Sequence, residues 1–334
     1  MRAPVTVGVV GLGSWGLTAA RTLEELPQAE LRYVYDRSPK AQLRLSAIFP
    51  AARVARSLDE LLSDETLDAV VIGTPSASRY ELARAALDAD KHLLVQPPLA
   101  LSAAEADELV RRAGSRHRRV AVAHRFPFTP AIRRLRELLE LGDLGELYYL
   151  DVVCHHSDGL GSERNVLWGL GVEQVSLIAY LLGDEPVEVR AAGESYAEPG
   201  IFDVANCSLK FANGIASHIH LSWLGLERTF RLTAIGAEQT VVIDDNNHEL
   251  GLRIYLKGGD ILAPKIPAGD PLRLACESFL KAVRSRRSYS PAAMREAWTV
   301  VGVLEALQIS LECGGSAEQV GTRRDANVVP LLPR

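Results

Sequence analysis

Residues 7–16 read VGVVGLGSWG. The stretch before Gly11 is short, apolar and rich in β-branched residues, which suits a strand buried on both faces. Gly11, Gly13 and Gly16 then spell G-x-G-x-x-G, and LTAARTLEELP follows with helical spacing and ends at a proline. A second apolar run, LRYVYD, closes with Asp36, twenty residues beyond Gly16. The glycines alone are a weak signal. Between a strand and a helix, with an acidic residue ending the next strand, they form a dinucleotide fingerprint. Gly11 permits the tight turn, Gly13 lets the backbone approach a pyrophosphate, and Gly16 allows close helix–strand packing. The helix start at Ser14 and Trp15 turns amide donors and positive potential towards the phosphates. Asp36 can accept from both ribose hydroxyls and repels a 2′-phosphate, which favours NAD. The adjacent Arg37 can accept a 2′-phosphate and leaves NADP open.

Further along, strand and helix signals keep alternating. SLDELLSD carries a capping box in Ser57 and Glu60, and LSAAEADELVRRAG carries another in Ser102 and Glu105. DAVVIGT, HLLV and VAVAH are apolar runs separated by helical patterns. Alternation of this kind predicts right-handed βαβ units and a doubly wound parallel sheet over residues 1–123. Thr74, Pro75 and Ser76 leave the third run at the sheet's C-terminal edge, where such folds bind ligands. They are candidate cofactor contacts.

The pattern changes from residue 124. AIRRLRELLELG is an amphipathic helix stopping at Gly142, followed by long alternating stretches punctuated by Gly, Asn and Asp. These predict an α/β domain over 124–334 with a large open, mostly antiparallel sheet, one face packed and one freer. One hairpin can be read to the residue. A two-residue Asn-Gly turn would pair Ala212 with Ile215 and put Leu209 opposite His218, whereas a three-residue loop, Ala212-Asn213-Gly214 with Gly214 left-handed, pairs Phe211 with Ile215 and Cys207 with Ile219, and the buried face favours the second. Ser208, Lys210, His218 and His220 then share the other face. His218-x-His220 has no third ligand in view and reads as a polar sheet face in a subunit contact, so no metal is expected. The last dozen residues read as a tail strapped across the surface.

Bulk properties narrow the function. A chain of 334 residues accommodates two domains, and a net charge of −5 gives no general attraction for polyanions. The basic runs at 111–112, 116–119 and 284–287 lack aromatic interleaving and sit near helix C-termini, where cations complement the helix dipole. Nucleic-acid binding is not expected. Four scattered cysteines, no signal-peptide order and no apolar run of spanning length predict a reduced, cytoplasmic protein with no membrane segment.

Several segments together resemble one family. VGVVGLGSWG, the GTPS loop, KHLLVQPPLA, HRFPFTPAIRRLRELLELGDLGELYYL and NVLWGLGVEQVSLIAYLLG follow the order and spacing of the glucose–fructose oxidoreductase/inositol dehydrogenase (Gfo/Idh/MocA) family. The resemblance covers nearly the whole chain and is nearest to nucleotide-sugar and aminosugar dehydrogenases. It implies a Rossmann domain and a C-terminal sheet domain. It also implies NAD(P)-dependent chemistry on a sugar-like small molecule, and a homodimer or homotetramer built through that sheet. The same resemblance exposes departures in three motifs. Where the family usually has Glu-Lys-Pro this chain has Gln96, Pro97 and Pro98. Where a helix usually carries Asp and, four residues on, His, it has Gly169 and Glu173 on what would be one helix face. A histidine common after the GTP loop aligns with Arg79. Gln96 and Pro97 keep a backbone role beside the cofactor, but proline cannot titrate and glutamine is neither acid nor base.

Hydride transfer from an alcohol needs an acceptor for the hydroxyl proton. Glu173 is the first candidate, and His156 the second. With strand alternation only one of His155 and His156 can face the substrate side. His124, Arg125 and Arg164 are candidate substrate contacts, the arginines for an anionic group such as a nucleotide-sugar phosphate. Two readings follow: an oxidoreductase with reassigned acid–base residues, or a catalytically silent NAD(P)-binding protein that scaffolds, senses or regulates.

Overall fold

A computed structural model describes residues 3–157, 163–245, 251–285 and 291–321, with side chains of the last segment described from 297. The chain divides into two compact units, Met1–Arg125 with Asp270–Val301, and Phe126–Gly269 with Gly302–Arg334.

In the first unit β1 (Val5–Val10), β2 (Ala29–Tyr35), β3 (Arg53–Val54), β4 (Ala69–Ile72), β5 (His92–Val95) and β6 (Val120–Val122) form one parallel sheet in the order β3-β2-β1-β4-β5-β6. Order reverses between β1 and β4, so the crevice of this Rossmann sheet opens at their C-terminal ends. Every residue of β1 and β4 is buried, as a strand covered on both faces requires. The connecting helices are α1 (Ser14–Glu25), α2 (Pro39–Ile48), α3 (Leu58–Leu62), α4 (Ser76–Asp88) and α5 (Ala103–Ser115). Ser57 and Ser102 accept from the amides of Glu60 and Glu105 as expected. The glutamate side chains reach one residue further back, to the amides of Arg56 and Leu101. The basic run at the end of α5 is engaged in ion pairs, Arg111 with Asp107, Arg112 with Asp88 and Glu108, and Arg116 with Asp88 and Asp90.

The first unit, expected over 1–123, also takes in a later segment of the chain. The helix α8 (Pro271–Arg284) and the first part of α9 (Pro291–Glu312) belong with the first unit. α8 packs on α1, β1 and β5, burying Ala275, Cys276, Phe279 and Leu280. Two elements of the first unit had no expectation. α2 buries only Leu45 and so has little apolar periodicity, and β3 is two residues long.

In the second unit β7 (Leu147–His155), β8 (Pro186–Glu194), β9 (Val204–Phe211), β10 (Ala216–Ser222), β11 (Thr229–Gly236), β12 (Gln239–Asp244), β13 (Leu252–Leu256), β14 (Ile261–Leu262) and β15 (Glu318–Gln319) make the second sheet, ordered β14-β13-β12-β11-β7-β10-β9-β8-β15. β7 and β10 pair in parallel, and the other neighbours are antiparallel. α6 (Pro130–Leu141) ends at the left-handed Gly142, and α7 (Val172–Leu182) at Gly183. The hairpin has the expected register: Cys207 faces Ile219, the Phe211 amide donates to the Ile215 carbonyl, and Gly214 has φ +89°. Leu150, Val152, Cys154, Ile219, Leu221 and Trp223 are buried on one face. By strand alternation Tyr149, Asp151, His155, Ser208, Lys210, His218 and His220 lie on the other. The tail of the last dozen residues and the centre of the SDGLGSERN loop lie outside the described residues.

Candidate cofactor and catalytic sites

The glycine loop is held from both sides. Gly11 has φ +85°, and its amide donates to the Tyr35 carbonyl at 2.8 Å. A Cβ at Gly11 would lie 2.4 Å from Thr74 Cγ2, and one at Gly16 only 1.9 Å from the Gly11 carbonyl oxygen. Gly73 is equally tight: a Cβ there would stand 2.8 Å from Gly16 Cα. No side chain fits at these three positions, so the first turn of α1 lies against the ends of β1 and β4. Gly13 is the contrast, exposed and with nothing within 4 Å of where a Cβ would stand. Gly13 is also the N-cap of α1. No side chain caps the helix, and its first turn, with Ser14, Trp15 and Gly16, carries no acidic residue. Its amides are therefore available to an anion.

Asp36 is anchored beside the glycine loop. Its Oδ2 accepts from the Leu12 amide at 2.8 Å and its Oδ1 from the Ser38 amide at 2.9 Å. The carboxylate is thus fastened to the glycine loop, with lone pairs left for ribose hydroxyls. Arg37 is exposed. On the other side of the crevice, Thr74 Oγ1 is buried with no hydrogen-bond partner among the described residues. An orphaned hydroxyl, an unfilled space over Gly13 and an uncapped helix start fit a dinucleotide. Pro75 precedes α4, and Ser76 at its first position is buried. Gln96 donates its amide to the Ile72 carbonyl at 2.9 Å, and a cis peptide joins Pro97 to Pro98. Gln96 and Pro97 are half-buried at the end of β5. His124 is buried at 4% exposure and Arg125 is half-buried, both just beyond β6 in the first unit.

The second unit holds the other candidates. Residues Leu167–Gly171 form a π-helical turn, and Glu173 lies half-buried in the first turn of α7 after it. The expectation that 169 and 173 share one face assumed an α-helix. The wider π turn shifts their relative angle. Gly169 has a specific cause: a Cβ there would lie 2.6 Å from Trp223 Cζ2. The indole is 1% exposed and its Nε1 has no partner among the described residues. The turn is pinned by a buried network that the sequence did not reveal. Asn165 Oδ1 accepts from the Leu167 and Trp168 amides, its Nδ2 donates to Gln308 Oε1 at 2.8 Å, and Trp168 Nε1 donates to the same oxygen at 3.0 Å. Gln308 passes on to Glu312, which pairs with Arg164 at 2.9 Å. Arg164 is therefore engaged at the surface.

His155 ends β7 on the open sheet face, its ring 4.9 Å from that of His220 and edge-on to it. Burial, and secondarily the nearby His220, lowers its pKa. His220 Nδ1 bonds Asn206 Oδ1 at 2.7 Å. His156 follows the strand, half-buried, with its amide donating to the Ser222 carbonyl. Among the described residues no group of three or more His, Cys, Asp or Glu side chains is arranged around a metal position, and no helix is long and apolar enough to cross a membrane.

The parallel sheet, its reversal point and the glycine cradle define an NAD-binding Rossmann domain. The family model for that domain, described as an oxidoreductase family with an NAD-binding Rossmann fold, matches residues 5–124, and the Gfo/Idh/MocA C-terminal domain model matches 132–242. The chain belongs to the Gfo/Idh/MocA oxidoreductase family. It is 28% identical over 291 residues to UDP-N-acetylglucosamine 3-dehydrogenase of Acidithiobacillus ferrooxidans, covering 84% of this chain and 89% of that one. A solved structure of that dehydrogenase superposes with a TM-score of 0.83 at 25% identity, over 93% of this chain and 99% of the other. GenD2 from gentamicin A biosynthesis, solved in complex with NAD, gives 0.82 at 25% identity, over 96% and 98% of the two chains. The myo-inositol 2-dehydrogenase of Thermotoga maritima is 23% identical over 270 residues, 74% of this chain and 80% of that one.

Proposed function

We propose that the protein is an NAD-dependent dehydrogenase acting on an alcohol or carbonyl of a sugar-like small molecule, within the nucleotide-sugar class. The observation that carries the reading is the cradle of Gly11, Gly13 and Gly16, with Asp36 on one side and the unpartnered Thr74 hydroxyl on the other. The substrate class draws support from a relative named for UDP-N-acetylglucosamine and a neighbour from aminoglycoside biosynthesis. Bound NAD supplies the hydride acceptor. This chain's residues must hold it, keep the substrate beside it and take the hydroxyl proton. Glu173 and His156 are the proposed proton acceptors, since Pro97 and Gly169 bring no titratable group. His124 and Arg125 are proposed to contact the substrate. Arg164 holds an anionic group only by leaving Glu312. The open polar face of the nine-stranded sheet is the proposed contact of a homodimer or homotetramer.

The test is deuteride transfer between labelled NADH and a panel of nucleotide-sugars and their keto forms. Transfer that persists in the wild type and falls by about 100-fold or more in Glu173→Gln or His156→Asn supports the assignment, in line with the usual worth of a general base. Unchanged turnover in both variants rejects those two residues.

A second reading is favoured by one observation. Trp223 fills the space in which a side chain at 169 would stand, so this turn has no room for an acid. A catalytically silent NAD-binding protein with a sensing or regulatory role would tolerate that. It predicts NADH binding without deuteride exchange on any substrate.

A further inference from the structure

Arg79 lies in the first turn of α4 and is 1% exposed, among the largest fully buried side chains of the molecule. Its Nε donates to the Thr74 carbonyl at 2.7 Å. Its Nη1 donates to the Pro97 carbonyl at 2.5 Å and the Pro98 carbonyl at 3.3 Å. One guanidinium therefore grips two separate chain segments, the loop after β4 and the turn after β5. Burying a permanent charge is costly unless several strong acceptors receive it. Backbone carbonyls can do so only if both loops hold one conformation, so the cation and the two loops specify each other. A planar fork suits that task and an ammonium does not, because a lysine presents its donors from a single atom.

The position of these loops gives the clamp a function. In a sheet ordered β3-β2-β1-β4-β5-β6 the dinucleotide crosses the reversal between β1 and β4. The half carrying β1 and β2, with Asp36, takes the adenosine. The half carrying β4 and β5 takes the second nucleotide. Both segments gripped by Arg79 lie in that second half, and one of them bears the unpartnered Thr74 hydroxyl. We propose that Arg79 is a positioning residue which, from behind the crevice, holds the Thr74–Ser76 and Gln96–Pro98 segments in the geometry that binds the nicotinamide half of the cofactor. The proposal rests on the NAD-binding reading and deepens it.

The experiment compares two ligands in three proteins. NADH engages both halves of the crevice, and AMP engages only the adenosine half. Calorimetric dissociation constants are measured for wild type, Arg79→Lys and Arg79→Met, with the thermal midpoint of each ligand-free protein recorded alongside. The expected result is an NADH affinity at least tenfold weaker in both variants, with AMP affinity within twofold of wild type. A general loss of structure would weaken both ligands together. Hydrogen exchange on the unmutated protein is the second measurement, and needs no variant to fold. NADH is expected to protect peptides spanning 73–79 and 95–99 together, and AMP to protect neither. The proposal is overturned by unchanged NADH affinity in Arg79→Lys, by NADH and AMP weakening in step, or by the two segments gaining protection separately. If the wild type binds neither ligand, the cofactor reading itself fails and the proposal falls with it. Wild-type NADH binding that Arg79→Lys retains defeats the proposal alone.

Discussion

At the scale of single residues, the first unit contains two groups whose surroundings make measurable demands. Asp36 bridges the amides of Leu12 and Ser38. Asp36→Ala leaves both donors without this acceptor and removes the proposed ribose acceptor. We expect NADH binding to weaken by about tenfold, equivalent to roughly one hydrogen bond, and the preference over NADPH to shrink. Isothermal titration with both cofactors checks it. His92 accepts the Arg119 amide at 2.8 Å through Nδ1. Burial, with Arg118 and Arg119 adding to it, lowers its pKa from 6.5 to about 4, against a small opposing effect of Asp68. Protonation would destroy the acceptor. Between pH 6.5 and 4 the unfolded chain binds this proton and the folded chain does not, so the His92 contribution to stability is present above pH 6.5 and is lost as pH falls. The loss reaches on the order of 2–3 kcal/mol near pH 4. His92→Asn keeps an acceptor without a titrating group, and is expected to flatten the pH dependence of the urea midpoint over that range.

At the scale of elements, the most informative is the π-helical turn Leu167–Gly171. It packs on β10, and Gly169 lies directly against the Trp223 indole. Adding one methyl forces the ring or the turn to move. Gly169→Ala is expected to cost about 1–3 kcal/mol, the usual range for overpacking, and to lower the thermal midpoint. Trp223→Leu in the same chain should recover part of that loss, although it is destabilising alone. Additive effects of the two substitutions would show that they do not share this space. The hairpin β9–β10 behaved differently because its register depended only on which face was buried, a property that alternation displays openly.

At the scale of the whole molecule, the first unit is not one stretch of chain. α8 returns from residue 271 to cover α1, β1 and β5. Phe279, 2% exposed, anchors it. Phe279→Ala is expected to destabilise the NAD-binding unit by about 3–5 kcal/mol, as large-to-small changes in a core do. Thermal unfolding followed with and without NADH is the measurement. A fragment ending at residue 125 should expose the apolar surface that α8 covers and aggregate, whereas a fragment that folds and binds NADH would show α8 to be dispensable.

Local patterns express the part of the fold that needs no distant partner. Buried β-branched runs, helical spacing and a glycine fingerprint closed by Asp36 specify a parallel dinucleotide-binding sheet, because each is a short-range requirement of backbone geometry. Alternation likewise specified the second sheet and its hairpin register. Which distant side chains meet is settled by the packing of the folded chain. The weakly periodic α2, the two-residue β3 and the return of α8 depend on packing partners that lie far away in sequence. So do the grip of Arg79 on two loops, the displacement of a side chain at 169 by Trp223, and the Asn165–Gln308 bridge that pins the π turn. No local pattern encodes them, because their energy comes from burial and hydrogen bonding that exist only once the chain has folded.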